Sequence, residues 1–450
     1  MDRHFISFFL LLFMGSAAAE TLSLDDLPRL IEQRNSSVQR AAADASVAES
    51  DQAVARADFL PSLTLKATQT RTDEAITLDV PPQSIQRTLP NGAPFRLDID
   101  PPPLILQDRD VSKAQLQLIQ PLYMGGRLGA QQEARDAELS IKTAEYTQEK
   151  SQQLSVVLQR YFQAQYTREV LNVLARFKKH LTRIDQLTKG LIASGAIPRV
   201  MRRRTETALA ELQAMQVRAA AQEKVLCQAV QSLIQAQGTC QFKSALKRLP
   251  MPSHPRALQT IAHTQRPEWK ILEHQAAKAD ALHDAATGTL LPNVYAFGRY
   301  ELLQEQLTLL EPKWVIGLGL EWTLTAGLKS IPEREKAEAL RRKVAIGRAQ
   351  AQRDIPLQIE QYWAQAAGEL AALQATDKAL EAAQETLEIS ELRYGTGDGS
   401  QLDVLNAYSD VEKLSIKRLE LLESYNRYLI SLFAATGDTA LYIQHYHKSM

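Results

Sequence analysis

Between Gly129 and Gly190 the chain carries neither proline nor glycine. Nothing in that run of about 60 residues breaks a helix, and at 1.5 Å per residue it would reach about 90 Å. Val170, Leu174, Phe177, Leu181, Ile184 and Leu191 fall at heptad spacing within it, the pattern of a helix that packs along its length against others. A helix of this reach cannot be wrapped into one globular core. It must fold back, and Gly190-Leu-Ile-Ala-Ser-Gly-Ala-Ile-Pro-Arg-Val200 is the expected tip, with Pro198 suited to the first turn of the return helix. That helix is expected to run to about Gln237, before a linker marked by Pro250, Pro252 and Pro255. Aromatic residues are 6% of the chain, which suits long exposed helices better than a thick core.

The plan is written twice. Arg266 to Pro292 matches Asn35 to Pro61, and Leu291-Pro292 echoes Leu60-Pro61. A second long helix places Leu373, Leu380, Leu387 and Tyr394 at every seventh position. It ends in Arg393-Tyr-Gly-Thr-Gly-Asp-Gly-Ser-Gln-Leu-Asp-Val-Leu-Asn-Ala407, where Gly395, Gly397 and Gly399 permit a tight reversal and Ser400 and Asp403 have capping-box spacing. The return helix is expected to reach about Phe433, with a short tail beyond. The repeats are placed at 20–249 and 250–450.

Each repeat carries two stretches of alternating polarity, predicting strands at about 59–69, 111–122, 292–301 and 313–325. Residues 73–110 are proline-rich without helical period and are expected to form a long loop. In the last strand Trp314, Ile316, Leu318, Leu320, Trp322 and Leu324 share one face. An apolar face bounded by Trp314 and Trp322, about 27 Å apart in an extended strand, is what a lipid-interface girdle needs; a buried sandwich strand is the alternative.

Arg3 and His4 followed by the apolar run Phe5 to Phe13 and Ala17-Ala18-Ala19 predict a secretory signal over 1–19. In an exported chain the two cysteines, Cys227 and Cys240, are expected to bond across Gly238, with two separate thiols as the alternative. The formal net charge is zero, so nothing points to nucleic acid. The eight histidines lack ligand spacing, with His445-x-His447 in the tail, and no metal or other cofactor is expected. There is no G-x-S-x-G elbow, and Gly395-x-Gly-x-Gly follows a helix rather than a strand, so neither a hydrolase nor a phosphate cradle is indicated. The chain is not expected to be an enzyme.

The order helix, Leu-Pro, strand, loop, strand, Pro-Leu-aromatic-x-Gly-Gly, long helix, glycine tip, long helix resembles the TolC family of outer-membrane efflux proteins over nearly the whole mature chain. The carrying motifs are Leu60-Pro61-Ser-Leu-Thr-Leu65, Gln120-Pro-Leu-Tyr-Met-Gly-Gly126, and Arg393-Tyr-x-x-Gly397 with Leu402-Asp-Val-Leu-Asn-Ala407. The resemblance implies a mixed α and β fold: periplasmic helical hairpin coiled coils, plus four strands per chain in a trimeric twelve-stranded transmembrane β-barrel. It implies a homotrimer in the outer membrane of a Gram-negative bacterium, most of the chain lying in the periplasm. Its partners would be a periplasmic adaptor protein, through it an inner-membrane pump, and outer-membrane lipid. The implied function is a passive exit duct for small molecules; an exit duct for type I protein secretion is the alternative within the fold. An exported coiled-coil protein with no barrel is the alternative outside it. A sheet with a lipid-facing side cannot leave its edges open in lipid, which supports association on physical grounds.

The resemblance also implies a periplasmic gate, carried by motif onto Asp403 and Asn406, the latter where an acidic residue is expected. A family arginine latch falls on Gly399 and is absent in that form. Repeat spacing sets Arg199 against Asp403, so Arg199 or Arg203 is expected to pair with Asp403 or Asp398. Gly190, Leu191, Gly195, Gly395, Thr396 and Gly397 would form the adaptor-docking tips.

Overall fold

The computed structural model describes residues 21–236, 241–252, 254–304, 311–324 and 330–448. The expected signal at 1–19 and Cys240 lie outside them. The described residues form two compact units, those within 1–47, 140–274 and 345–450 in one, those within 48–139 and 275–344 in the other. These units are not the two sequence repeats: each repeat contributes to both.

In chain order the elements are β1 (Thr21–Leu22), α1 (Leu27–Arg34), α2 (Ser36–Ala57), β2 (Ser62–Arg71), β3 (Ile76–Leu78), β4 (Gln83–Thr88), β5 (Pro94–Ile99), β6 (Leu104–Gln107), β7 (Asp110–Met124), α3 (Arg127–Ala193), α4 (Val200–Ile234), β8 (Gln241–Phe242), α5 (Pro255–Gln265), α6 (Pro267–Gly288), β9 (Asn293–Glu301), β10 (Trp314–Glu321), α7 (Ser330–Thr396), α8 (Gln401–Ala434) and α9 (Ala440–Lys448). The long unbroken run is therefore one helix, α3, and its counterpart in the second repeat is α7.

The unit containing the sheet orders its strands β10-β9-β7-β2, all antiparallel, with β10 and β2 as edges. Between β2 and β7 the chain does not form the expected irregular loop. It continues as a nested ribbon, β3 with β6 and then β4 with β5. Pro81-Pro82 on one arm and Pro101-Pro102-Pro103 on the other interrupt the ladder at the same level, because proline supplies no N–H to pair. At the other end of the sheet, Gly125 has φ +64° and lies against Gly288: a Cβ on Gly288 would sit 2.8 Å from Arg127 Cγ. The helix segments there are tied by Arg135–Asp51 at 3.0 Å and Arg341–Asp280 at 2.5 Å.

The helical unit has two main apolar clusters. One gathers Leu27, Ile31, Tyr161, Phe162, Tyr425, Leu429, Tyr442 and Tyr446. Its tyrosines also satisfy the irregular backbone of residues 243–252, whose carbonyls have no ladder partner: Tyr425 donates to Leu249 O at 2.9 Å and Tyr446 to Ala245 O at 2.8 Å, while Tyr161 Oη accepts from Ser244 N at 2.9 Å. The expected C-terminal tail is instead helix α9, because Tyr442, Ile443 and Tyr446 bury one face of it. The second cluster contains Val170, Leu174, Phe177, Leu181, Ile184, Leu212, Tyr394, Val404 and Tyr408, with Leu191, Leu380 and Leu387 packed against it. Both heptad series thus face a shared core, except that Leu373 belongs with Leu421 and Leu422.

Candidate functional site

Two surfaces concentrate the sequence-predicted residues: the helix reversals of the helical unit and one face of the sheet in the other unit.

Both reversals are made in the same way. Helix α3 ends with Gly195 at φ +75°, Gly195 N donating to Ile192 O at 3.1 Å and Ala196 N to Leu191 O at 2.9 Å. Helix α7 ends with Gly397 at φ +86°, Gly397 N donating to Tyr394 O at 3.3 Å and Asp398 N to Arg393 O at 3.0 Å. These are paired Schellman ends, which satisfy the last helical carbonyls and need a left-handed residue. Gly190 and Gly395 sit within the helices instead, so the expected reversal starts later than the first glycine of each tip. Gly399 is needed for closeness rather than handedness: a Cβ there would be 2.7 Å from Tyr394 N and 2.8 Å from Arg393 C.

The return helices then start differently. Ser400 caps α8, its Oγ accepting from Leu402 N at 3.1 Å. Arg199 occupies the cap position of α4 without a side-chain cap, and Pro198 lies just before the cap rather than in the expected first turn, its carbonyl accepting from Met201 N. Counted from the caps, Asp403 corresponds to Arg202 rather than Arg199, because the first loop is longer.

The expected ion pairs are not made within the chain. Arg203 Nη1 lies 2.7 Å from Glu206 Oε2, its own helical neighbour. Arg202 takes Glu206 at 3.2 Å, and Lys189 takes Asp185 at 2.5 Å. Among the described residues Arg199, Asp398 and Asp403 join no ion pair. Asp403 and Asn406 are both exposed, and Asp410 shares their face of α8, seven residues being close to two turns. Sequence reading missed Asp410, although its spacing from Asp403 carried the signal.

What joins the two hairpins is a buried polar clasp. Gln401, 3% exposed, donates from Nε2 to Thr188 Oγ1 on α3 and to Thr205 Oγ1 on α4, each at 2.9 Å. Thr188 Oγ1 also lies 3.5 Å from Tyr394 Oη on α7. One side chain of the second hairpin therefore bridges both helices of the first, and its Oε1 is left without a partner. Next to the clasp, Tyr408 donates to Glu391, tying α8 to α7. Burial first, then the Glu391 bond and charge, push the Tyr408 hydroxyl above its ordinary range. Cys227 lies on α4 and is disulfide-bonded. His445 and His447 turn to different partners, Pro250 O at 2.8 Å and Asp25 Oδ1 at 2.7 Å, so they share no ligand position.

In the sheet, strand register aligns Leu65, Leu116, Tyr300 and Trp314 in one row and Leu63, Leu118, Gly298 and Ile316 in the next. Ala296 with Leu318 and Val294 with Leu320 continue that face. It is exposed: Ile316, Leu318 and Leu324 keep 75–78% of their accessible surface. Trp314 and Trp322 are exposed at its two ends, with Trp322 Nε1 donating to Leu290 O at 3.1 Å. The opposite face aligns Lys66, Gln115 and Glu301, then Thr64, Gln117 and Arg299. There Gly317 and Gly319 admit aromatic rings: added Cβ atoms would lie 2.8 Å from Phe297 Cζ and from Tyr295 Oη. The sheet is thus apolar on one side and charged on the other. Among the described residues no helix is long and apolar enough to cross a membrane.

A family profile described as outer membrane efflux protein matches residues 27–239 and 260–438. No curated protein matches the chain. Among solved structures, the outer membrane channel CmeC of Campylobacter jejuni is similar at TM-score 0.72 and 16% identity, covering 95% of this chain and 89% of that one. VceC of Vibrio cholerae is similar at TM-score 0.72 and 16% identity, covering 92% and 96%. MtrE of Neisseria gonorrhoeae is similar at TM-score 0.72 and 17% identity, covering 92% and 89%.

Proposed function

The chain belongs to the outer membrane efflux protein family, and on that premise we propose that it is the passive outer-membrane exit duct of an export assembly for small molecules. The observation that carries this is the sheet. Its exposed apolar side suits lipid, while its charged side suits water, and its edges β10 and β2 are unpaired among the described residues. A sheet placed in lipid must close on itself. Four strands cannot enclose a water-filled space, and about eight only just fill with side chains. Three copies give twelve strands, with Lys66 and Arg299 lining a wet lumen. The barrel-free coiled-coil alternative leaves this sheet without a role.

The helical hairpins supply the periplasmic part of the duct. Asp403, Asn406 and Asp410 form the lumen-facing stripe at its constriction, so each copy contributes two carboxylates and a neutral amide between them. The Gln401 clasp resists separation of the hairpins and sets the cost of opening. The exposed tip residues Gly190, Leu191, Gly195, Gly395, Thr396 and Gly397 are the docking surface for a periplasmic adaptor, which couples the duct to an inner-membrane pump. Small residues allow such helices a close approach. With no motif for nucleotide or metal chemistry, the energy for transport comes from that pump.

The membrane reading is tested by tryptophan fluorescence of the purified protein in vesicles containing brominated lipid. Trp314 and Trp322 should be quenched, and the Trp314→Phe, Trp322→Phe double variant should lose most of that quenching. Equal quenching in both proteins, or none, would overturn it.

A further inference from the structure

The ribbon β3–β6 has a use that the duct reading does not supply. Register puts Ile85, Leu97, Phe95 and Ile99 on one face of β4–β5, and Ser84, Gln86, Arg96 and Asp98 on the other, where Arg96 and Asp98 pair at 2.9 Å. The apolar four keep 42–46% of their surface exposed. A lone two-stranded ribbon is marginal in water and needs a covered face to persist. Among the described residues, nothing else in its own unit covers this one.

Lipid is a poor cover. The ribbon leaves the sheet at the end away from α2 and α3, and a charged collar stands between it and the apolar rows. That collar holds Arg71, Asp73, Glu74, Asp108, Arg109 and Asp110, all exposed, with Arg71 and Asp110 3.6 Å apart. The ribbon is also the direct continuation of β2, the edge strand through which one copy must meet the next. Arg87 lies on the apolar face without an ion pair, and Asp79 and Asp100 at the proline break are likewise without one among the described residues.

We propose that the ribbons of three copies pack their Ile85, Phe95, Leu97 and Ile99 faces against one another, forming a cap over the outer mouth of the duct. The occupant of each apolar face is thus a second copy of this chain, arranged in a closed ring as cyclic symmetry requires. This rests on the trimeric duct reading.

The test is cross-linking of the full-length protein purified in detergent. Leu97→Cys and Gln86→Cys are each treated with a short bis-maleimide, and oligomer mass is measured by light scattering. Cys227 is already disulfide-bonded and does not compete for the reagent. The expected result is a trimer in both variants, with most Leu97→Cys chains migrating as covalent multimers and Gln86→Cys chains remaining single. Adding Phe95→Asp to Leu97→Cys should abolish the cross-link and leave the trimer. A trimer without Leu97 cross-links overturns the cap and leaves the duct standing. So does a Leu97 label quenched by spin-labelled lipid in vesicles, which would assign the face to the membrane. A monomer overturns the duct reading and the cap with it.

Discussion

The two tips share a backbone and differ in charge. Both close with the same pair of hydrogen bonds around a left-handed glycine, Gly195 in one and Gly397 in the other. The first tip is cationic and only partly neutralised, with Arg202 and Arg203 on Glu206 and Lys189 on Asp185. The second is acidic, and among the described residues its Asp398 and Asp403 join no ion pair. The N-terminus of a helix favours a carboxylate and disfavours a cation, so Asp403 suits its place, whereas Arg202 and Arg203 need Glu206. The difference separates two demands: glycine fixes the reversal, and the side chains that follow decide what the tip can attract or pass.

The comparison is broken most severely at Gly399, which has no counterpart in the first tip. Gly399→Ala forces a Cβ onto the backbone of Tyr394 and Arg393 and is expected to lower the melting temperature of the detergent-solubilised protein more than Gly195→Ala. At Gly195 there is open space, so only the left-handed conformation is penalised, by about 1–2 kcal/mol. Gly395→Ala, inside α7, should instead stabilise by about 0.5–1 kcal/mol.

The clasp is next in size. Gln401→Ala leaves the Thr188 and Thr205 hydroxyls without their shared donor, a loss of about 1–3 kcal/mol. A double-mutant cycle with Thr188→Val should be clearly non-additive, because both residues act through one bond. Additive losses would show that Gln401 does not join the hairpins.

The smallest effect is at Glu412 on α8, a partly buried carboxyl whose Oε1 has no partner. Burial raises its pKa above the ordinary 4.5, partly offset by Lys413, with a smaller upward contribution from Glu211 on α4. A raised carboxyl binds its proton more tightly in the folded protein. Its favourable contribution is complete below the unfolded value and is lost as pH rises through the folded one. Glu412→Gln should therefore flatten the stability profile above about pH 4.5 and leave it unchanged at lower pH.

Much of this architecture was legible in the sequence. The heptads gave the helices that share a core, and the alternation of 62–68 and 314–324 gave strands whose apolar sides register in the sheet. Other features depend on contacts that no local pattern encodes. Gln401 stands in a polar run, Gly-Ser-Gln-Leu-Asp, and becomes buried only where α3 and α4 of the other hairpin meet it. The ribbon was obscured because prolines on both arms broke the alternation over any long window. Its Asn91-Gly92 pair, flanked by Ile85 and by Phe95, Leu97 and Ile99, was nevertheless a hairpin signal. The tail carried a similar signal in Tyr442 and Tyr446, one helical turn apart. Glycine content alone overstated the tips, since Gly190 and Gly395 are helical.

Single-channel conductance of the purified protein in a planar bilayer tests the central claim most directly. The account predicts a small, cation-preferring conductance whose preference is lost in the Asp403→Ala, Asp410→Ala double variant and kept in Arg203→Ala. A protein that stays soluble and monomeric without detergent, and conducts nothing, would contradict it.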